Sequence, residues 1–140
     1  MKARLMQVAR AEGLPFGDRD KTYNSRLAQE LGKWAESKGR GEVYHDAVFH
    51  AYFAEGKNIG KIAELTALAG RLSLPEEEAR KVLEERSFKE LVDRDWQRSY
   101  RMGVSAVPTF LVGEQFLVGA VPYEALEKLL IDNSVSKRQQ

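Results

Sequence analysis

The chain has 140 residues, 43% hydrophobic and 31% charged, with 22 Lys+Arg against 21 Asp+Glu for a formal net charge of +1. That is sequence enough for one globular domain, with no global charge to draw nucleic acid or an acidic membrane surface. It contains no cysteine, which excludes disulfides, thiolate catalysis and thiolate metal sites together.

The first segment, MKARLMQVARAEG, holds no apolar run of signal-peptide length, and nothing in the chain reaches the ~20 apolar residues of a membrane span. No membrane association and a cytoplasmic location are therefore expected. Leu5, Val8 and Ala9 line one face of a first helix ending near Gly13. GLPFGDRDKTYN is rich in Gly, Asp and Pro and reads as a loop. Leu27, Leu31, Trp34 and Ala35 mark the next helix, stopped near Gly39-Arg40-Gly41. In EVYHDAVFHAYFAEG, Val43, Ala47 and Ala51 with Tyr44, Val48 and Tyr52 form a broad apolar stripe that Gly56 closes. Ile62, Leu65, Leu68 and Ala69 give a further helix.

Two capping boxes follow, Ser73 with Glu76 and Ser87 with Glu90, so a break is expected at Glu85–Arg86. In the second of these helices Phe88, Leu91, Val92, Trp96 and Tyr100 share a face, and Gly103 ends it. Only then does the period change to two. PTFLV and QFLVG, separated by Gly113-Glu114, make a β-hairpin. Pro122 opens a final helix with Leu126, Leu129 and Leu130 facing inward.

The architecture is mostly α with one small β-hairpin, an α+β protein. Residues 1–102 form a helical region, 103–132 the proline loop, hairpin and closing helix, and 133–140 a tail. Two strands alone are marginal in water, and strands apolar on both faces belong inside a larger sheet. Neighbours are expected from helices on both faces or from another chain.

Side-chain chemistry is sparse. His45 and His50 are five apart and so about 140° apart around a helix, too far to clamp one metal. Asp46 and His50 are four apart and within reach of each other. The aromatic series Tyr44, Phe49, Tyr52, Phe53 fits a packed core better than a ligand groove. No Walker-type loop, GxGxxG, nucleophile elbow or HExxH occurs. No catalytic residue, metal site or cofactor is expected.

Four stretches in order carry a likeness: AEGLPF, YNSRLAQELGKWAESKGR, EVYHDAVFHAYFAEGKNI and GVSAVPTFLVGEQFLVGAVPYEAL. Together they resemble the DsbA-type branch of the thioredoxin superfamily, in particular its FrnE-like thiol–disulfide oxidoreductases, with the 2-hydroxychromene-2-carboxylate isomerases as more distant kin. The resemblance implies a helical insert plus the C-terminal half of a thioredoxin-like fold. Family members also carry a strand, a CxxC site at a helix N-terminus and a second strand, none of which is found here. Pro108 matches the family's cis-proline, although most X-Pro bonds are trans. Val107 and Thr109 flank it, and the resemblance makes these three the substrate-binding residues. Asn24 and Arg26 match the family's Asn-x-Arg segment, and with Phe16 and Tyr52 they are candidate lining for a groove.

Three functions follow as expectations. The first is a redox-inactive binding module that forms a homodimer through the hairpin. The second is part of a disulfide oxidoreductase, completed by a CxxC-bearing polypeptide and acting on a peptide or thiol substrate. The third is an isomerase-like protein that binds glutathione or a hydrophobic ligand.

Overall fold

The computed structural model describes residues 2–18 and 20–138, and the helical period of the sequence is realised there as α-helices with one two-stranded sheet. Helices α1 (Lys2–Ala11), α2 (Arg26–Ser37), α3 (Gly41–Phe49), α4 (Ile62–Arg71), α5 (Glu76–Glu85) and α6 (Lys89–Arg101) come first. Strands β1 (Thr109–Val112) and β2 (Gln115–Val118) and helix α7 (Tyr123–Asp132) follow. This is the α+β class expected. The chain divides into two compact units, Met1–Arg94 and Asp95–Gln140.

The first unit holds the main core. Leu31, Trp34 and Ala35 of α2, Tyr44 and Val48 of α3, Leu65, Leu68 and Ala69 of α4, and Ala79, Val82 and Leu83 of α5 are all buried in it. These are the i, i+3, i+4 positions that a helix turns to one side. The α2 helix packs on α3 and α5, and α4 packs on α5. Polar ends inside this core are satisfied where the side chain is large. The Tyr44 hydroxyl donates to the Ala28 carbonyl at 3.0 Å, and Trp34 Nε1 donates to Glu78 Oε1 at 3.0 Å.

Thr66 is the exception, because its buried Oγ1 has no hydrogen-bond partner among the described residues. An unmade buried hydrogen bond costs the desolvation of the hydroxyl. Thr66→Val keeps the shape and removes that cost, so it is expected to stabilise the chain by about 1 kcal/mol. A thermal melt with an unchanged or lowered midpoint would contradict this.

Helix ends explain why the two capping boxes do not form. Ser73 N–H donates to the Gly70 carbonyl at 2.9 Å and Leu74 N–H to the Ala69 carbonyl at 3.0 Å. Ser73 itself has φ +59°. This paired, left-handed ending of α4 uses the residue expected to start α5, which instead follows Pro75 with no side-chain cap. The expected break at Glu85–Arg86 is present, with Arg86 left-handed at φ +55°. Ser87 makes no side-chain cap: its amide donates to the Val82 carbonyl at 3.2 Å, and α6 starts at Lys89. Gly39, at φ +70°, ends α2 by the same device where glycine carries no penalty.

Three further expectations are corrected. The stripe in EVYHDAVFHAYFAEG is not one α-helix, because after Phe49 the chain widens into a π-turn over His50–Ala54. On α1 only Ala9 is buried, while Leu5 and Val8 are exposed. On α6 burial stops at Val92, leaving Leu91, Trp96 and Tyr100 exposed.

In the second unit the hairpin has the expected register, Thr109↔Val118 through Val112↔Gln115. Gly113, at φ +59°, takes the first place of its two-residue loop. Asn133 Nδ2 donates to Gln115 Oε1 at 3.1 Å and to the Leu129 carbonyl at 2.8 Å, tying the end of α7 to the hairpin. Pro122 stands just before α7 rather than within it, and of Leu126, Leu129 and Leu130 only Leu129 is fully buried.

Candidate functional site

In the second unit, the Val107–Pro108 bond is cis, in agreement with the resemblance. The Pro108 carbonyl accepts from the Gly119 amide at 2.8 Å, which extends the hairpin ladder by one pair. In an antiparallel ladder alternate residues turn their backbone groups to the partner strand. With Pro108, Phe110 and Val112 directed at β2, the groups of Thr109 and Leu111 lie along the outer edge of β1, and Val107 precedes that edge across the cis bond. No strand pairs with that edge among the described residues. Val107 is 88% exposed and takes part in no backbone hydrogen bond among them. The Thr109 hydroxyl donates to the Ala106 carbonyl at 2.6 Å and braces the turn. Of the three residues expected to bind substrate, Thr109 turns its backbone groups to the open edge, Val107 stands just before it, and Pro108 faces β2.

In the first unit, Asn24 and Arg26 come together at an open pocket of about 240 Å³, which Leu27, Gly60 and Arg86 complete. Asn24 Oδ1 accepts from the Arg26 amide at 2.8 Å, holding the start of α2. Beneath the pocket lies Glu30, a carboxylate with no exposed side-chain surface. Arg86 grips it side-on, Nε to Oε2 at 2.6 Å and Nη2 to Oε1 at 2.6 Å. Arg26 Nε adds a bond to Oε1 at 2.9 Å, and its Nη2 reaches Asp93 and the Lys89 carbonyl. Lys89 Nζ in turn holds Asp93 Oδ2 at 2.8 Å.

The Arg86 hydrogen bonds, with Arg26 in support, hold the Glu30 carboxyl below its ordinary value of 4.5 against the opposing effect of burial. Lys89 and Arg26 likewise lower Asp93. A carboxyl lowered in the folded chain stabilises it above the unfolded value, and that stability disappears as pH falls through the folded value. The chain is therefore expected to lose stability progressively below about pH 4.5. Glu30→Gln should make that acid limb shallower in denaturant melts taken across the range, and identical limbs would contradict the assignment.

Glu30, Arg86, Asp93 and Lys89 are functional-site neighbours that sequence reasoning missed. One signal was present. Glu30 sits among Leu27, Leu31 and Trp34 on the core face of α2, and a charge there requires a partner.

Phe16 and Tyr52 belong to a separate aromatic row. Phe53 stands 6.2 Å from Phe16, 6.3 Å from Phe49 and 4.9 Å from Tyr52, ring centre to ring centre, and Tyr52 is 6.5 Å from Tyr23. Gly17 makes this possible. Its amide donates to the Phe53 carbonyl at 2.8 Å, and a Cβ there would fall 2.2 Å from the Ala54 oxygen. Tyr44 leaves the series for the core, where burial pushes its hydroxyl well above the ordinary phenol value. Phe49 stays exposed. The histidines do not pair with Asp46: His45 lies 3.2 Å from Glu36 and His50 3.1 Å from Glu55. No cluster of three or more metal-ligating side chains occurs among the described residues, and no helix there is long and apolar enough to cross a membrane.

A helical body followed by a cis-proline, a short antiparallel hairpin and an α-helix defines the class as thioredoxin-like. The chain matches the DSBA-like thioredoxin domain over residues 1–131 and belongs to that family. It is 32% identical over 112 residues to YwbO, an uncharacterized protein of Bacillus subtilis, covering 79% of this chain and 56% of the relative. It thus spans little more than half of that relative's length. A 2-hydroxychromene-2-carboxylate isomerase superposes with TM-score 0.78 at 21% identity, covering 97% of this chain and 69% of that one. A Nitrosomonas europaea protein proposed to be a protein disulfide isomerase superposes with TM-score 0.71 at 22% identity, covering 93% and 70%. At these identities the structural likenesses establish the fold alone.

Proposed function

We propose that this chain is a redox-silent binding module of its family, docking an extended segment along the outer edge of β1. The observation that carries this reading is the outer edge of β1 at Thr109 and Leu111, whose outward backbone groups meet no strand among the described residues, with the exposed Val107 just before it. An added strand satisfies such groups with main-chain hydrogen bonds and takes its specificity from alternate side chains. Disulfide exchange needs an attacking thiolate, and the chain has no cysteine to supply one. The family's oxidoreductase activity is therefore silent in this chain by itself.

The docked segment is a second copy of this chain. Hairpin paired to hairpin about a two-fold axis covers both open edges at once. Light scattering on the purified chain is expected to give the mass of a dimer, and a monomer at every concentration would overturn self-pairing. A cytoplasmic setting suits this reading, since a chain without cysteine draws nothing from an oxidising compartment.

A second reading is favoured by length, since the chain spans 56% of its Bacillus subtilis relative. On this reading a CxxC-bearing polypeptide completes the sheet, and a peptide or thiol substrate meets Val107 and Pro108. Adding such a polypeptide should then start insulin reduction. An unchanged rate eliminates this second reading and leaves the first intact.

A further inference from the structure

The pocket under Asn24 has a charge arrangement that its structural duties do not use up. In the network around it, three cations (Arg26, Arg86, Lys89) stand against two carboxylates (Glu30, Asp93). None of the residues lining the pocket is acidic. Arg86 holds Glu30 side-on, through Nε and one hydrogen of Nη2. A guanidinium has five N–H donors, so its end-on fork, Nη1 with the second hydrogen of Nη2, is left over. No described residue accepts from that fork, and the Arg86 side chain is 40% exposed. Asn24 is similar. Its Oδ1 is engaged by the Arg26 amide, which leaves the Nδ2 donors at the exposed mouth. Leu27 and Gly60 add an uncharged wall, with Gly60 so close that a Cβ would lie 3.1 Å from the Asn24 carbonyl oxygen.

We propose that this pocket binds a small carboxylate, held by the end-on fork of Arg86 and the side-chain amide of Asn24. The planar fork matches a carboxylate in two parallel hydrogen bonds. One negative charge balances the surplus of the network, whereas a phosphate dianion would overshoot it above buried Glu30. The volume of about 240 Å³ falls below the range of drug-sized sites. The carboxylate therefore arrives as a small acid, or as a side chain or C-terminus of a peptide. The site lies wholly within the first unit and does not depend on the strand-edge reading.

The test is an ¹⁵N NMR titration of the chain at constant ionic strength, with chloride replaced stepwise by acetate. The signals read are the amides of Asn24, Leu27 and Gly60 and the Nε–H of Arg86. Saturable shifts with acetate and none with chloride are expected. A blocked peptide whose only carboxylate is a glutamate side chain forms a second arm. Tighter binding of acetate identifies a free acid as the ligand, and tighter binding of the peptide identifies a peptide carboxylate. Asn24→Asp keeps the acceptor for the Arg26 amide but puts a like charge at the mouth, and should weaken binding about tenfold or more. Asn24→Ser, which keeps an acceptor and loses the amide donors, is expected to weaken it in the same direction. No saturable shift with acetate or peptide, tighter binding of inorganic phosphate, or unchanged affinity in the folded Asn24 variants would overturn the site.

Discussion

Arg86→Ala is expected to destabilise the chain by about 3 kcal/mol, because it strips the side-on partner from a fully buried carboxylate. The size of the effect is set by Glu30, whose side chain has no exposed surface, rather than by Arg86, which is 40% exposed. An exposed arginine in an ordinary surface pair contributes under about 1 kcal/mol. Here its removal leaves Glu30 with Arg26 alone, and Arg26 is shared with Asp93. The left-handed backbone at Arg86 offers no compensation, since alanine keeps the strain of φ +55°. A double variant, Glu30→Leu with Arg86→Leu, removes both charges and should recover much of the loss. Chemical denaturation that placed the single variant within about 1 kcal/mol of the parent would refute a buried, Arg86-dependent carboxylate.

Trp34→Ala is expected to cost about 3–5 kcal/mol and to leave little cooperative folding in the first unit. Trp34 is 2% exposed, the largest of the fully enclosed side chains, and sits where α2 meets α5. Its loss opens a cavity in the core where α2 packs on α5, and it also leaves Glu78 without the indole donor. Lys38 still pairs with Glu78 at 2.6 Å, so the cost is mainly that of the cavity. Trp34→Phe, which keeps most of the volume, should lose well under half as much. Equal losses for the two variants would place the cost in the hydrogen bond instead.

The helices were legible because burial follows a 3.6-residue period at Leu31, Trp34, Ala35, Leu65, Leu68 and Ala69. The hairpin was legible from the change of period at Thr109 and the glycine at 113. Ser73 misled because the same small polar residue that caps a helix start also tolerates the left-handed turn that ends one. Leu5, Val8, Trp96 and Tyr100 misled because apolar spacing reports the face a helix offers, and cannot say whether anything covers it. The π-turn at His50–Ala54 left no trace in periodicity.

Of the candidate site, Val107, Pro108 and Thr109 and the segment holding Asn24 and Arg26 were indicated by the family resemblance rather than by local pattern. The Glu30–Arg86 clasp was not, because its partners are 56 residues apart and only folding brings them together. The groove imagined for Phe16, Tyr52, Asn24 and Arg26 resolves into two places. One is the aromatic row around Phe53, and the other is the pocket beside Arg86.

Amide hydrogen exchange along β1, read residue by residue from dilute to concentrated protein, tests the proposed docking edge most directly. Phe110 and Val112 donate within the hairpin, so their protection should be the same throughout. Thr109 and Leu111 point outward and should exchange freely when dilute, then become protected as dimer forms. If they stay as fast as unpaired amides in the assembled protein, or are already protected in the monomer, the outer edge of β1 is not the binding surface.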